Sequence, residues 1–287
     1  MSDAAVSDVG TVVVSTNDDA RILAAVIDAL MTADAIPRRV ALADNSSKDT
    51  SVHRAAEARY PGVQLVPQDG NVGFCAANNS GIKAVGDCEY IFILNPDAIV
   101  TPTFLRDAVA YMDAHPDVGA MNPKLLGLDG KTLQPTGLLD AAGIFWKWYG
   151  KSFDRGQGDP DNGQYDGEAE DVPALCAAAM LCRTSALKDI EDENGIFDET
   201  FFVFKDDLDL SLRLRAKGWR TVLVPSTVVH HCRQNKQSRR SSVPPWVRKM
   251  SIRNEWKLWR KRLLPLRMRI PQTGYLVVKS ALVRIGR

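Results

Sequence analysis

The amino-acid sequence predicts an α/β fold in which a mostly parallel central sheet is covered by helices on both faces. Short runs of apolar, β-branched residues alternate with segments of helical periodicity through the first third of the chain. Each run is followed by a polar or glycine-rich turn. Because the carboxyl ends of parallel strands lie along one edge of a sheet, these turns should meet there, where open α/β sheets place their ligands.

Four strands and three helices make up this pattern. The predicted strands cover residues 9–14, 39–43, 63–66 and 90–100, and the predicted helices cover residues 21–33, 50–59 and 76–85. Asn17, Asp18 and Asp19 precede the first helix as turn and cap residues. The fourth strand opens with a run of apolar and aromatic residues, which is typical of a strand buried on both faces, and it delivers Asn95 and Asp97 at its end.

The second half of the chain is less regular. Residues 126–171 are rich in acids and glycine and have no usable period, which is typical of a lid, a binding loop or a disordered segment. Beyond them we predict a core strand at 172–182, a helix at 206–217 and two short strands at 221–224 and 227–229.

Composition is that of an ordinary globular protein. The chain has 287 residues, of which 45% are hydrophobic and 25% are charged, enough for one large or two small domains with their own core. We find neither a long apolar run nor a signal sequence, so a cytosolic chain is expected. Five cysteines without CxxC spacing indicate neither a disulfide framework nor a zinc site.

Positive charge is concentrated in the C-terminal part. From Arg233 onward there are 16 Lys or Arg and one acid, a net charge of +15, whereas the preceding 20 bases and 34 acids give −14. Such a tail suits an anionic surface. Trp246, Trp256 and Trp259 lie among the bases of a predicted helix, and indoles favour the headgroup boundary of a bilayer. We therefore expect a membrane surface and no nucleic acid; a packed terminal helix with solvated bases is the alternative.

Polar residues at the strand ends are candidates for binding a nucleotide or a cation. Asp97 could hold a divalent cation that bridges a diphosphate, although Asn-Pro-Asp alone favours a simple turn. Asp44 could accept a hydrogen bond from a base or a ribose, or cap a helix. Residues 69–81 combine Gly70 and Gly73 with a helix N-terminus that would favour an anionic ligand, although neither GxGxxG nor a P-loop is present.

A second acidic group, formed by Asp206, Asp207 and Asp209, begins the helix predicted at 206–217. Acids are favoured there by the helix dipole whatever their role, and Asp209 is spaced for an ion pair with Arg213. Because the aromatic run FFVF precedes them, at least one carboxylate could instead lie in a desolvated cleft with the raised basicity of a general base.

His230 and His231 end the last predicted strand. A histidine pair is commonly exposed or packed in a core. A neutral imidazole together with Asp97 would nevertheless form a mixed site for Mn²⁺ or Mg²⁺. Which of the two imidazoles would face the acid is open.

Seven ordered motifs resemble those of the inverting family 2 glycosyltransferases, over about residues 10–265. The first four are VVVSTND, LADNSSKDTS, GNVGFCAANNSGI and FILNPDAIVTPTFL. They are followed in the family's order by NPKLLGLDGKTLQ, FDETFFVFKDDLDLSLRLRAKGW and VVHH. One such match would be weak, but seven in register are specific, and they look closest to the bacterial rhamnosyltransferase-like branch.

The resemblance implies roles for the matching residues. Asp97 and His230 would ligate a divalent cation, Mn²⁺ or Mg²⁺, and Asp207 would be the general base with Asp206 in the position of the family's Glu. The residues implied to bind the nucleotide-sugar are Ser15, Asn17, Asp44, Asn71, Gly73 and Asn95. The chain departs from the family pattern in having Thr16 for Tyr, Asp206 for Glu and Ala177 for Gly.

The resemblance also implies an architecture and an activity. We expect a GT-A-like, Rossmann-related domain at 1–242, with a nucleotide-sugar half at about 9–125 and an acceptor half at about 126–242, and a basic amphipathic helical extension at 243–287. The activity would be metal-dependent inverting transfer of a sugar, with dTDP-L-rhamnose the first choice of donor and UDP-sugars open, to a glycan or lipid-linked glycan at the inner face of the membrane. A nucleotidyltransferase and a nucleotide-sugar-binding pseudoenzyme are the alternatives.

Overall fold

The computed structural model describes residues 4–233 and 245–284 of the chain. Its first half contains every strand and helix predicted there, and the turn at 95–97 divides the predicted fourth strand in two. The elements are β1 (Ala5–Ser15), α1 (Ala20–Met31), β2 (Ala35–Asp44), α2 (Ser51–Arg59), β3 (Val63–Pro67), α3 (Phe74–Val85), β4 (Tyr90–Leu94), β5 (Ala98–Val100) and α4 (Phe104–Ala114).

The second half has shorter strands and ends in helices. Its elements are β6 (Val118–Leu128), β7 (Pro135–Ala141), β8 (Ile144–Trp146), β9 (Ser152–Asp154), β10 (Glu170–Asp171), β11 (Ala179–Arg183), α5 (Thr184–Ile190), α6 (Asp206–Ala216), β12 (Arg220–His231), α7 (Pro245–Arg260) and α8 (Leu266–Arg284). A 3₁₀ turn, Glu199–Phe201, lies between α5 and α6.

Ten strands form one mixed sheet in the order β10-β12-β6-β11-β4-β1-β2-β3, with β5 on β12 and β7 on β6. The strands β1 to β4 pair in parallel, and so do β6 and β12. Antiparallel β11 joins these two groups by pairing with β4 and β6. The predicted α/β fold with a central sheet and C-terminal helices is confirmed, and its parallel pairing is confined to these two groups.

Close packing of α3 on β1 fixes the first group of parallel strands. Gly81 of α3 lacks a side chain where a Cβ would come within 2.4 Å of Val12 Cγ1. All five residues of β4 are buried, as expected for a strand covered on both faces. The carboxyl ends of β1, β2 and β4 are thereby held at one edge of the sheet.

Residues 126–171 are ordered around the edge of β6. They contain β7 to β10, of which β7 pairs with β6 and β8 pairs with β9. Lys124 of β6, whose side chain is 5% exposed, forms ion pairs with Asp161 and Asp166 and so holds this segment against the sheet. The segment lacked a period because its strands are short and irregularly spaced.

The core strand predicted at 172–182 is shorter in the structure, where β11 begins at Ala179. The residues before it are largely buried without forming a ladder. Asn122 satisfies their backbone instead: its Oδ1 accepts from the N–H of Cys176 at 2.6 Å, and its Nδ2 donates to the carbonyls of Cys176 and Ala179.

The predicted C-terminal extension is a pair of packed helices. The indole N–H groups of Trp256 and Trp259 on α7 donate to the hydroxyls of Ser280 and Thr273 on α8, both at 3.1 Å. The boundary predicted between residues 242 and 243 lies outside the described residues. Across residues 4–233 and 245–284, no helix combines the length and the apolar character needed to cross a bilayer.

Candidate active site

Loops at the carboxyl ends of the first strands interlock through asparagine side chains. Asn17, which follows β1 in a left-handed conformation, accepts a hydrogen bond from the N–H of Lys48 at 2.9 Å. Asn45, which follows β2, donates to Oδ1 of Asn71 at 3.0 Å. The structure therefore brings two predicted nucleotide-site residues, Asn17 and Asn71, to one edge of the sheet. Asn45, which holds the second loop to the third, was missed.

Asp44 and Ser15 end the neighbouring strands β2 and β1, and both are buried. Oδ1 of Asp44 accepts from the N–H of Ser47 at 2.9 Å, so this carboxylate organises its own turn. The Ser15 hydroxyl lies 2.6 Å from Nε2 of His53 on α2. Burial lowers the pKa of His53, against the charges of Asp44 and Asp49. The hydroxyl of Ser15 is thus engaged with α2 in this state.

The N-terminus of α3 is occupied by the chain itself. The carbonyl of Phe202 accepts from the N–H groups of Phe74, at 2.7 Å, and Cys75. The ring of Phe202 fills the space beside Gly73, where a Cβ would lie 2.5 Å from Cδ2. We expected Gly70 and Gly73 to allow close approach of the backbone to an anionic ligand at this helix N-terminus. In the structure Gly73 admits Phe202, because an L side chain there would overlap the aromatic ring.

The acid after β4 meets an imidazole from the end of β12. Oδ1 of Asp97 lies 3.1 Å from Nε2 of His231, and Nδ2 of Asn95 lies 3.4 Å from the same nitrogen. His230 was expected beside Asp97, but successive side chains of a strand point to opposite faces, and the imidazole that meets Asp97 is that of His231. His230 is half-buried, and burial lowers its pKa.

A buried chain of charges continues behind His231 and was not predicted. Nδ1 of His231 lies 2.8 Å from Oδ2 of Asp140 on β7, and both side chains are 6% exposed. Arg233 then bridges Asp140, at 2.7 Å, and Asp154 of β9, at 2.8 Å. Burial opposes the charged imidazole, but hydrogen bonds to Asp140 and Asp97 raise the pKa of His231 to about 9. No pattern in residues 126–171 could have identified the two aspartates.

The pair of Asp97 and His231 fits a divalent cation, which would replace the proton on Nε2 that these two side chains otherwise share. An octahedral Mg²⁺ holds its ligands at about 2.0–2.1 Å, so adjacent ligand atoms lie about 3 Å apart, close to the 3.1 Å that separates Asp97 and His231. Asp140 would fix the imidazole tautomer from behind, as carboxylates commonly do for metal-ligating histidines. Within the described parts of the chain, no group of three or more His, Cys, Asp or Glu side chains is arranged for a cation.

Asp18 adds a further acid near this pair. Burial, with a smaller contribution from the charge of Asp97, raises the pKa of Asp18 to about 6, against the effect of a hydrogen bond from the N–H of Thr16. Its neighbour Asp19 caps α1 as predicted, accepting from the N–H groups of Arg21 and Ile22. Asp19 therefore caps the helix, whereas Asp18 lies within the electrostatic influence of Asp97.

Asp206 and Asp207 begin α6 in a desolvated environment. Burial, followed by the charge of Asp207, raises the pKa of Asp206 well above its usual range. Burial also raises the pKa of Asp207, to about 6, while the charges of Lys205 and Arg233 oppose the shift. Arg233 thus lies within electrostatic range of both Asp207 and the Asp97–His231 pair. The predicted ion pair of α6 is present, with Arg213 Nε 2.8 Å from Asp209.

A mixed α/β sheet with Asp97 after β4, His231 at the end of β12 and acids at the start of α6 agrees with the GT-A type of glycosyltransferase that the motifs indicated. The chain belongs to glycosyltransferase family 2: the model of that family described as "Glycosyltransferase like family 2" matches residues 7–248. The enzyme class and the fold predicted from the sequence motifs are both confirmed.

Two relatives indicate the branch of the family. The chain is 30% identical, over 217 residues, to the N-acetylglucosaminyl-diphospho-decaprenol L-rhamnosyltransferase of Mycobacterium tuberculosis, covering 68% of this chain and 67% of that one. It is 26% identical over 243 residues to the O-antigen biosynthesis protein RfbC of Myxococcus xanthus, covering 82% of this chain and 18% of the relative. The first relative supports the predicted rhamnosyltransferase-like branch.

Solved structures agree with the fold. A crystal structure of GalNAc-T7 with UDP, GalNAc and Mn²⁺ superposes with a TM-score of 0.66 at 14% identity, covering 88% of this chain and 50% of that one. The mannosyltransferase PcManGT of Pyrobaculum calidifontis, with GDP-Man and Mn²⁺, superposes with a TM-score of 0.61 at 16% identity, covering 98% of this chain and 76% of that one. At these identities the likeness concerns the fold alone.

Proposed function

We propose that the enzyme transfers a sugar from a nucleoside-diphosphate donor to a hydroxyl in a metal-dependent reaction that inverts the anomeric configuration. The observation that carries the proposal is the position of Arg233, which joins the buried Asp97–His231 pair to the surroundings of Asp207. The pair suited to a cation and the carboxylate of raised pKa are thus both linked to Arg233, the pair through Asp140 and the carboxylate by charge. These are the two groups that an inverting transfer needs at its leaving and attacking oxygens.

Asp207 acts as the general base. Its raised pKa makes it a stronger base than an exposed aspartate while leaving it ionised at neutral pH. It removes the proton from the acceptor hydroxyl as that oxygen attacks the anomeric carbon from the face opposite the diphosphate. The buried Asp206, whose pKa is also raised, lies beside it. One displacement then inverts the configuration, and no covalent glycosyl-enzyme is formed.

Asp97 and His231, with Asn95 beside them, would hold Mn²⁺ or Mg²⁺. A cation there would supply positive charge for the departing nucleoside diphosphate. Asn17, Asp44 and Asn71 bind the nucleotide at the adjoining edge of the sheet. Support for a cation comes from the fit of the ligand pair and from the Mn²⁺ in two structures of the same fold.

The first choice of donor is dTDP-L-rhamnose, and the first choice of acceptor is a lipid-linked glycan. Support comes from the M. tuberculosis relative, whose name gives L-rhamnosyl transfer to N-acetylglucosaminyl-diphospho-decaprenol. RfbC belongs to O-antigen biosynthesis and points to the same kind of cell-surface polysaccharide. UDP-sugars are the alternative donors. A thermal-shift comparison of dTDP-L-rhamnose with UDP-sugars in Mn²⁺ separates them, because ligand at a hundred times its Kd stabilises by about 2.7 kcal/mol.

The substitution Asp207→Asn tests the proposed base. It keeps the shape of the side chain and removes its basicity, so turnover should fall by about 10²–10⁴-fold, while the Kd for the nucleotide-sugar in Mn²⁺ stays within about threefold of the wild-type value. The anomeric configuration of the product is read by NMR. Retained configuration, a trapped glycosyl-enzyme, or near-wild-type turnover of the variant would each overturn the mechanism.

We further propose that the enzyme works at the cytoplasmic face of a membrane, held by its C-terminal helices. Trp256 and Trp259, which we expected at the headgroup boundary, are half-buried, and their indole N–H groups donate to α8. The outer face of α8 offers a different apolar surface. Its large side chains are 43–67% exposed: Leu266, Ile270, Val277, Val278 and Leu282. Exposed apolar residues clustered on one helix face mark an interaction surface.

Charge favours an anionic bilayer as the partner of this surface. The outer side of α7 carries Lys249, Arg253 and Arg260, all exposed, beside the exposed Trp246. A helix pair with one apolar and one basic face has the character of an interfacial membrane anchor. A lipid-linked acceptor would then be reached without leaving the bilayer surface.

Cosedimentation with vesicles tests this anchor. The double variant Ile270→Glu with Val277→Glu should lose binding to phosphatidylcholine vesicles that contain phosphatidylglycerol. Val6→Glu is the matched control, since Val6 is 64% exposed on β1, far from α8 in sequence, and it should bind as the wild type does. Equal binding of the double variant and the control would remove α8 as the anchor.

A further inference from the structure

We propose that Asn254 of α7 positions the general base by holding the backbone of residues 201–205 in the conformation that begins α6. The inference rests on the role proposed for Asp207. It means that α7 of the C-terminal extension supports the backbone that carries the base. Asn254 does not meet the reacting groups itself, so it is a positioning residue.

The four carbonyl groups from Phe201 to Phe204 all have partners from distant parts of the chain. Nδ2 of Asn254 donates to the carbonyls of Phe201, Val203 and Phe204, each at 2.9 Å. The carbonyl of Phe202 accepts from the start of α3. The two N–H groups of one buried amide are therefore shared among three carbonyls. The carbonyl of Phe201 also accepts from the N–H of Val203, whereas those of Val203 and Phe204 depend on Asn254.

These residues need such support because their backbone is strained. Phe202, Phe204 and Lys205 all lie in the left-handed region, with φ of 65°, 71° and 69°. Non-glycine residues adopt this region at a cost, and they persist there only where the surroundings over-determine them. Asp207 follows Lys205 by two residues, so relaxation of this stretch would move the first turn of α6 and its carboxylate.

The same side of α7 makes further contacts with this region. Lys257 donates to the carbonyl of Thr200. Nζ of Lys261, just after α7, lies 2.6 Å from Asp198 and 2.7 Å from Asp209 of α6. Asn254, Lys257 and Lys261 are spaced by three and four residues and so share one helix face. Of the three, only Asn254 contacts the strained carbonyls.

The test compares Asn254→Asp with Asn254→Ser and Asn254→Ala. Aspartate has the size of asparagine but no N–H to donate when ionised. We expect kcat to fall about 10- to 100-fold, as for other small displacements of a catalytic group, with KM for the donor changed less than about threefold. Asn162→Asp, which makes the same chemical change at an exposed position, is the control and should keep wild-type kcat.

The outcomes separate this inference from the proposed function. If Asp207→Asn is inactive while Asn254→Asp turns over normally, the positioning role is wrong and the base stands. If Asp207→Asn is active, the base itself is wrong. If Asn254→Asp does not bind nucleoside diphosphate in a thermal-shift assay, its low activity could reflect misfolding, and the comparison of Asn254→Ser with Asn254→Ala then tests the positioning role. The hydroxyl donor of Asn254→Ser should leave kcat above that of Asn254→Ala, and equal rates would overturn the inference.

Discussion

The buried contact between His231 and Asp140 allows the proposed cation site to be tested without changing either proposed ligand. Asp140 lies 2.8 Å from Nδ1 of His231, on the opposite side of the ring from the nitrogen that faces Asp97. Asp140→Asn preserves the side-chain shape and a hydrogen-bond acceptor but removes the negative charge. We predict that Mn²⁺ then binds more weakly, because the imidazole becomes a poorer electron donor.

The burial of this contact sets the expected magnitude. Loss of a carboxylate behind a metal-ligating histidine typically costs about 10- to 100-fold in metal affinity, or about 1.4–2.7 kcal/mol. Both side chains are 6% exposed, so water screens the contact little, and we expect the upper part of that range. Arg233 keeps Asp154 as a partner at 2.8 Å, which limits structural disturbance.

The assay is a calorimetric titration of Mn²⁺ in the presence of saturating nucleoside diphosphate, together with turnover as a function of Mn²⁺ concentration. His230→Gln is the matched control, since it changes the neighbouring imidazole, which does not meet Asp97, and its Mn²⁺ affinity should be that of the wild type. The assignment of His231 as a cation ligand would be refuted if the Mn²⁺ affinity of Asp140→Asn were within twofold of the wild-type value. It would also be refuted if His230→Gln bound Mn²⁺ more weakly than Asp140→Asn does.

Two further predictions concern the base and the strained loop. Because the pKa of Asp207 is about 6, its carboxylate becomes protonated as the pH falls through that value. We therefore expect kcat/KM in saturating Mn²⁺ to fall about tenfold per pH unit below pH 6, and a flat profile down to pH about 4.5 would contradict the assignment. Gly73→Ala should lower the free energy of unfolding by about 1–3 kcal/mol, because its Cβ would overlap Phe202. Gly70→Ala is the control: Gly70 also has a positive φ, but a Cβ there would meet nothing within 4 Å, so the loss should be smaller. Equal losses in thermal unfolding would contradict the packing argument.

The first half of the chain, predicted to bind the nucleotide, was predictable in its fold because its signals are local. A buried parallel strand must be apolar along its length and must end in a turn, so the runs at β1 to β4 identify themselves. The acceptor half depends on contacts between distant residues. Lys124 with Asp161, and Asn122 with Cys176, replace regular ladders, and neither leaves a periodic trace in the sequence.

The sequence indicated His230, and not His231, beside Asp97 for a similar reason. Side chains alternate along a strand, so the face that each histidine occupies follows from the register of β12. The register of β12 against β6 shifts between Val224 and Val228. Between these positions β12 has three more residues than β6, and an odd shift reverses the face of every later side chain. Composition and spacing do not predict such a shift. Family motifs therefore indicated a histidine at this strand end, and only the pairing decides which one.

The short segment 201–205 joins three parts of the molecule that the sequence presents separately. The carbonyl of Phe202 caps α3 of the nucleotide half, Asn254 of α7 holds the remaining carbonyls, and Asp207 follows directly. Because the amides of Phe74 and Cys75 at the start of α3 are already paired within the protein, we expect a cation at Asp97 and His231 to balance the charge of a donor diphosphate. If Asp207 is the base, the C-terminal helices bear on catalysis through the backbone that precedes it, whatever surface their outer faces bind.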